Sequence, residues 1–280
     1  MTQQRKHGRE NAAGPVRLSY HMHSQWSDGQ STVREMIAAA RDLGLREVGI
    51  SDHLVVPPPS SPDVEWSMRL DDLTGYVQDV QSAAAETDMT VRLGIEVDYF
   101  PETWRQMHDR LDAYAFDYVI GAVHFVDGFA VDEDGDRWDR LSQRGIDDTM
   151  RRYYERVAEA VDSGLFDILA HLDLPKKFGH RASCDLSRQV DAAIAVLAES
   201  GRSTEINSAG WDKPCGEAYP AFDLLAACAE RGVPILISDD AHAPDQIGRH
   251  YERAVALARR AGYRETVRWA GRRPVAVPLS

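Results

Sequence analysis

Histidines and carboxylates recur just downstream of one short apolar run after another, and this regularity constrains the fold more than any other feature. The runs are residues 16–20, 47–51, 90–97, 118–123, 167–170, 203–206 and 233–237. Each is short and rich in Val, Ile or Leu, as a strand buried on both faces should be. Amphipathic stretches with helical spacing lie between them: 32–43, 70–86, 104–113, 147–163, 185–200, 221–231 and 248–261. The first follows Ser31 and stops at Gly44, which suits a cap at each end. Such alternation predicts a parallel α/β sheet with helical crossovers. About seven units in one uninterrupted chain favour a closed barrel over an open doubly wound sheet, although periodicity alone does not separate the two. The 280 residues have room for one such domain, expected from about residue 16 to residue 280. Residues 1–15 are polar, lack the apolar core of a signal peptide and read as a flexible tail.

The run ends hold the chemistry. They lead into His21-Met22-His23 and Asp28, into Asp52-His53, through Glu96 to Asp98, into His124, into His171, into Asn207, and into Asp239-Asp240-Ala241-His242. Six of the ten histidines sit at such ends, and in a barrel the C-terminal strand ends converge on one face. In His21-x-His23 the alternation of an extended strand turns both rings to the same side, and Asp240-x-His242 repeats the arrangement. Imidazole and carboxylate together suit zinc, manganese or iron. Nine residues qualify: His21, His23, Asp28, His53, Glu96, His124, His171, Asp240 and His242. They exceed the needs of one tetrahedral ion and fit two or three divalent ions, with Glu96 a candidate bridge. By contrast His7, His108, His180 and His250 read as ordinary surface or core histidines. Asp52 and Asp239 read as partners of ring nitrogens or as turn residues.

Other chemistries find no support. No G-x-S-x-G elbow, P-loop or G-x-G-x-x-G occurs. The acidic run 132–136 has its glycine in the wrong place for a calcium loop and reads as a solvated loop. Cys184, Cys215 and Cys228 are far apart, which argues against thiolate zinc or a disulfide framework and for a reducing cytoplasm. A net charge of −13 argues against a long nucleic-acid track but not against a small anion in a cation-lined pocket.

The motifs His21-Met22-His23-Ser24, Ser27-Asp28-Gly29, Ser51-Asp52-His53 and Asp240-Ala241-His242 resemble those of the PHP superfamily, named for polymerase and histidinol phosphatase. The stretches 94–99, 123–125, 171–179 and 205–210 are similar to its histidinol-phosphatase branch, and the resemblance covers roughly residues 16–262. It implies a single-domain, distorted seven-unit β/α (TIM-like) barrel with a trinuclear site. His21, His23, Glu96 and Asp240 would hold one ion, Glu96, His124 and His171 a second, and Asp28, His53 and His242 a third. It places Glu96, Asp240 and His242 at the catalytic centre and Lys177 and Lys213 near the substrate; for either lysine a solvated surface charge is the competing reading. Two positions depart from the branch: Asp28 stands where histidine is common, and Asp212-Lys213-Pro214 replaces a basic pair before the proline.

The resulting expectation is a phosphomonoesterase acting on a small phosphorylated metabolite, with L-histidinol phosphate the first substrate to try. A metal-activated hydroxide would attack phosphorus in line. A phosphodiesterase or nuclease of the same superfamily and a non-enzymatic metal-binding module are the alternatives. Neither a nucleic acid nor a membrane is an expected partner. Trp26, Trp66, Trp138 and Trp211 are placed on the site face, and the proline-rich segment 54–68 as a stiff wall at its entrance.

Overall fold

A computed structural model describes residues 17–59 and 64–279; the expected tail, 1–15, and the middle of the proline-rich segment lie outside them. The first half of the chain forms β1 (Leu18–Ser19), α1 (Val33–Asp42), β2 (Glu47–Ile50), β3 (His53–Leu54), α2 (Leu73–Ala85), β4 (Thr90–Leu93), β5 (Glu96–Asp98) and α3 (Trp104–Leu111). Next come β6 (Ile120–Ala122), β7 (Phe125–Val126), β8 (Phe129–Ala130), α4 (Gly135–Asp139), α5 (Gln143–Asp162) and β9 (Ile168–Leu169). The remainder is α6 (Ser187–Ser200), β10 (Ser203–Asn207), α7 (Phe222–Glu230), β11 (Ile235–Ser238), α8 (Tyr251–Arg260), β12 (Glu265–Ala270) and β13 (Arg273–Pro278).

Local signals explain where the helices start. Thr32 accepts from the Glu35 amide while Glu35 reaches back to the Thr32 amide, a reciprocal cap that fixes the start of α1. Ser142 caps α5, which therefore begins about a turn earlier than its apolar spacing suggests. The stretch 70–86 opens with a 3-10 turn, Leu70–Asp72, before α2.

All seven expected runs contribute strands to parallel ladders. One ladder runs β1-β2-β4 and the other β3-β5-β6-β9-β10-β11. The two are continuous along the chain, because β3 follows β2 after two residues and β5 follows β4 likewise. The runs shift at Ser51-Asp52 and at Gly94-Ile95, yet Gly94 N–H still donates to Ile50 O and Glu96 N–H to Asp52 O. Tyr118 explains the glycines here. A Cβ at Gly49 would lie 2.0 Å from its hydroxyl, and one at Gly94 2.1 Å from its ring. A lone parallel bridge, Met22 to Ala241, links the chain after β1 to the chain after β11.

Two apolar layers flank these strands. The larger lies under the helices and includes Met36, Ile50, Leu54, Tyr76, Val119, Tyr153 and Leu169. The other gathers Leu18, Tyr20, Tyr118, Ile120, Ile168 and Leu236 with Val267 and Trp269. Tyr20 and Tyr118 stack there with centroids 5.1 Å apart. Trp269 comes from the β12–β13 hairpin, an element without a counterpart in the sequence expectations. The hairpin covers the N-terminal strand ends: Trp269 Nε1 donates to Ser203 Oγ, Thr266 Oγ1 to Ile235 O, and Arg272 Nε to Asp167. Among the described residues, no helix is long and apolar enough to cross a membrane.

Candidate metal centre

At the opposite, C-terminal ends of the strands, all nine expected ligand residues come together. The chain after β1 brings His21, His23 and, on the following turn, Asp28; β3 brings His53 and β5 brings Glu96. His124 follows β6, His171 follows β9, and Asp240 and His242 follow β11. Glu96 lies at the centre. Its Oε2 is 3.0 Å from His21 Nε2, 3.5 Å from His23 Nε2 and 2.8 Å from His53 Nδ1. Its Oε1 is 3.3 Å from His171 Nε2 and 3.9 Å from His124 Nε2. Asp240 Oδ1 lies 3.2 Å from His23 Nε2 and 3.7 Å from His21 Nε2. Asp28 Oδ1 lies 3.3 Å from His242 Nε2 and 3.8 Å from His53 Nε2.

These contacts are close, but several are not hydrogen bonds. His21 Nε2, both nitrogens of His23, His53 Nδ1, His171 Nδ1 and Glu96 Oε2 are buried without a hydrogen-bond partner. Orphaned buried polar atoms are costly and uncommon in a folded protein. Their concentration in one cluster, with donor and acceptor atoms misaligned at 2.8–3.0 Å, fits ligands that face a common cation. Three groupings have ligand atoms within 4.8 Å of one another: His23, Asp28, His53 and His242; His21, His23 and Glu96; and His53, Glu96 and His124. They overlap the three implied sets without reproducing them. His23 joins the Asp28 group, and His53 stands beside Glu96 and His124 where His171 was expected.

The electrostatics describe the same preparation. Burial opposes charge on Glu96, but His21 and His53 hold its carboxyl far below the usual range. Asp240 is likewise held low against burial, by His21, His23 and His242. Burial and the neighbouring His53 and His242 push His23 down to about 3, which leaves it neutral with a lone pair to offer. His124 goes the other way despite its burial, up to about 10, chiefly through Asp98 and Asp132.

Several residues support these ligands: Asp52, Asp98 and Asp239 were named in the sequence without a settled role, and Arg249 was not. Asp98 Oδ1 sits 2.5 Å from His124 Nδ1 and so orients that ring. Asp52 accepts from the amides and hydroxyls of Ser24 and Ser27 and fixes the turn that bears Asp28. Asp240 has φ +49°, and Arg249 braces that turn by donating to the carbonyls of Asp239 and Asp240. Asp239, considered beforehand as a ring partner or turn residue, takes Ser19 Oγ and the Gly248 amide.

A cavity of about 430 Å³ opens above the cluster, with Trp66, Phe125, Asp132, Lys177, Lys213 and Arg249 in its wall. Lys177 Nζ donates to Asp132 O at 2.6 Å. Burial, with repulsion from Lys177, lowers the Lys213 ammonium below its ordinary value. The run 132–136 is thus more than a solvated loop: Asp132 faces the cavity and Asp134 caps α4. Of the four tryptophans placed on this face, Trp66 lines the cavity, edge-on to His53 and His124. Trp138 is fully buried instead, against Phe129 and His180. Trp26 packs near Tyr76 and Trp211 near His250, outside the cavity wall.

Comparison with known proteins agrees with this geometry. The PHP domain family matches residues 19–209. A relative from Deinococcus radiodurans, described as a probable histidinol-phosphatase, is 39% identical over 83% of this chain and 88% of its own length. The histidinol-phosphatase of Lactococcus lactis is 23% identical over 91% of this chain and 95% of its own. A crystal structure of histidinol phosphate phosphatase from that organism, complexed with zinc, L-histidinol and phosphate, superposes with a TM-score of 0.77 at 21% identity, covering 92% of this chain and 98% of that one. The chain belongs to the PHP family, and its mixed α/β single-domain fold is that of the histidinol phosphate phosphatase structure.

Proposed function

We propose that this chain is a metal-dependent phosphomonoesterase that hydrolyses a small phosphorylated metabolite, with L-histidinol phosphate as its substrate. One observation carries the reading: a cluster of nine imidazoles and carboxylates, all buried or half-buried except the more exposed Asp28, lies beneath a cavity bordered by Lys177, Lys213 and Arg249. The 39% identical relative bears the same activity in its description.

His21, His23, Glu96 and Asp240 would hold one ion, His124 and His171 with Glu96 a second, and Asp28, His53 and His242 a third, His23 and His53 lying near enough to be shared. Divalent ions there would supply a water of lowered pKa and positive charge for the phosphoryl oxygens. The protein's own part is to bind and orient. Lys177 and Lys213 take the terminal phosphate oxygens by charge-assisted hydrogen bonds. Trp66 and Phe125, which lie parallel with centroids 6.4 Å apart, wall the leaving group and exclude water. His242 borders the cavity, and a water at this edge would supply the proton to the leaving oxygen, a role that His242 itself could take only when it holds no ion.

The finer architecture belongs to this proposal too: a distorted seven-unit β/α barrel over residues 16–280. The Met22–Ala241 bridge between the first and last runs, and a second apolar layer drawn from four of the seven, support it. The test of function is phosphate release from a panel of phosphomonoesters with zinc, manganese or iron added. Turnover of L-histidinol phosphate above simple aryl phosphates is the expected result; no release from any monoester with full metal content would sink the proposal.

A further inference from the structure

Glu205 lies in the middle of β10 and is fully buried. Burying a carboxylate is costly unless it is paired and its oxygens are satisfied. No lysine or arginine approaches it among the described residues; its ion-pair partner is His21. Four donors fill its two oxygens. Oε2 sits 2.9 Å from His21 Nδ1 and accepts from Ser238 Oγ at 2.6 Å. Oε1 accepts from the His171 amide at 3.0 Å and from Asn207 Nδ2 at 2.9 Å. The same Asn207 Nδ2 donates to Asp240 Oδ2 at 3.0 Å, while Asn207 Oδ1 accepts from the Ala209 amide. One carboxylate therefore touches the chain at His21, His171 and Ser238 and, through Asn207, Asp240. It does not line the cavity and lies outside every ligand grouping.

We propose that Glu205 is a positioning residue: it holds the His21 proton on Nδ1 and thereby presents His21 Nε2 as a ligand, so that the ion held by His21, His23 and Glu96 depends on a side chain that does not touch it. The proposal rests on the reading of the cluster as a metal site. It follows from which partners can exchange roles. The His171 amide can only donate. Asn207 cannot flip its amide, since Asp240 requires its NH2 and Ala209 its oxygen. The Oε1 position of residue 205 must therefore be an acceptor. In Glu205→Gln the amide oxygen takes that position and the NH2 faces His21 Nδ1 and Ser238 Oγ. Serine can rotate to accept. A neutral His21 can accept at Nδ1 only by placing its proton on Nε2, the atom 3.0 Å from Glu96 Oε2. That tautomer cannot ligate.

The test uses the metal-loaded protein. Wild type, Glu205→Gln, Ser238→Ala and Glu96→Gln are challenged with graded chelator. Retained ions are counted by elemental analysis, and the Tm of each metal-free form is measured. In Glu205→Gln one ion per chain should be lost at ~10–100-fold lower chelator, the range for removing an outer-shell partner. The other ions should stay, and the metal-free Tm should lie within a few degrees of wild type. Ser238→Ala removes a donor from the same oxygen without setting an N–H against His21, and should keep the wild-type profile. Should Glu205→Gln fail to fold, wild-type protein with nitrogen-labelled histidine and spin-active cadmium decides: the cadmium coupling must appear at His21 Nε2, with Nδ1 still protonated. Wild-type chelator resistance in Glu205→Gln, a lowered Tm without selective ion loss, or coupling at Nδ1 would each overturn the proposal. Glu96→Gln separates the two readings. If it too retains every ion, the metal site itself is wrong; if it loses ions while Glu205→Gln does not, only the role of Glu205 falls.

Discussion

Glu96 touches more of the cluster than any other side chain, so its charge is the one whose removal should matter most. Glu96→Gln keeps the volume but loses the negative charge and one strong metal-binding oxygen. Turnover should fall at least ~10²-fold, with metal content reduced. Wild-type kcat at full metal content would remove Glu96 from the site. Lys177 borders the cavity and touches no expected ligand, so Lys177→Ala should raise KM while metal content stays constant; unchanged kinetics would return it to the surface. The ligands were legible in the sequence because strand alternation and strand ends fix the direction of a side chain. Their supports were legible only in part. A carboxylate inside an apolar strand, as in Thr204-Glu205-Ile206, is itself a signal of a buried partner, but the partner is His21, 184 positions away in the chain. Asp98 was noted at the end of a run, yet nothing in the spacing says that it faces His124 and not solvent.

At the scale of elements, the seven apolar runs and the helices between them were readable from period, whereas the β7–β8 pair, α4 and the C-terminal hairpin were not. In β13, Arg273, Pro274, Val275, Ala276 and Pro278 are exposed, so the strand lacks the apolar alternation that marks a half-buried one. The break between β4 and β5 falls at Gly94-Ile95, and the Tyr118 ring that leaves no room for a Cβ at Gly94 meets it only after folding. The hairpin is nonetheless structural. Trp269 is 1% exposed, and Trp269→Ala should lower unfolding stability by ~3–5 kcal/mol in denaturant titrations, as for other large-to-small core changes, without altering the metal ligands. A loss below ~1 kcal/mol would mean that the hairpin caps nothing. Glu47 is the second anchor, bonded to Tyr20, Arg92 and Arg268. Burial opposes its charge, but these partners bring its carboxyl below the usual value. A folded-state pKa below the unfolded one gives stability that is present above the unfolded value, near pH 4.5, and is lost as pH falls through the folded one. Glu47→Gln should therefore cost about 2–3 kcal/mol at pH 7, less than the ~3–5 of a fully buried pair because both guanidiniums keep solvent contact. The variant should also show a shallower loss of stability below pH 4.5; parallel acid limbs for the two proteins would refute the assignment.

Across the whole molecule, a net charge of −13 coexists with a cavity whose wall carries Lys177, Lys213 and Arg249 above the expected cations. The two scales of charge act on different ligands. A small phosphate feels the cavity wall, because field lines from those cations are focused within a low-dielectric recess. A polynucleotide must lie along the outer surface, where a net charge of −13 opposes its backbone phosphates. The ester class follows from the same balance. A phosphomonoester is largely dianionic near neutral pH and offers three terminal oxygens to the lysines and ions, whereas a diester carries one charge and a second substituent. At about 430 Å³ the cavity suits a small organic phosphate, and Trp66, edge-on to His53 and His124, leaves that second substituent to be accommodated against an aromatic wall. The metal-loaded protein should therefore hydrolyse L-histidinol phosphate and other small phosphomonoesters with a kcat/KM at least ~10-fold above that for dinucleotide diesters or single-stranded DNA, one lost charge contact being worth roughly 1.5–3 kcal/mol. Chelation should abolish both activities, and added zinc or manganese should restore the monoesterase. A diester kcat/KM above that of the monoesters, measured with the same metal content, would overturn the substrate class while leaving the metal centre in place.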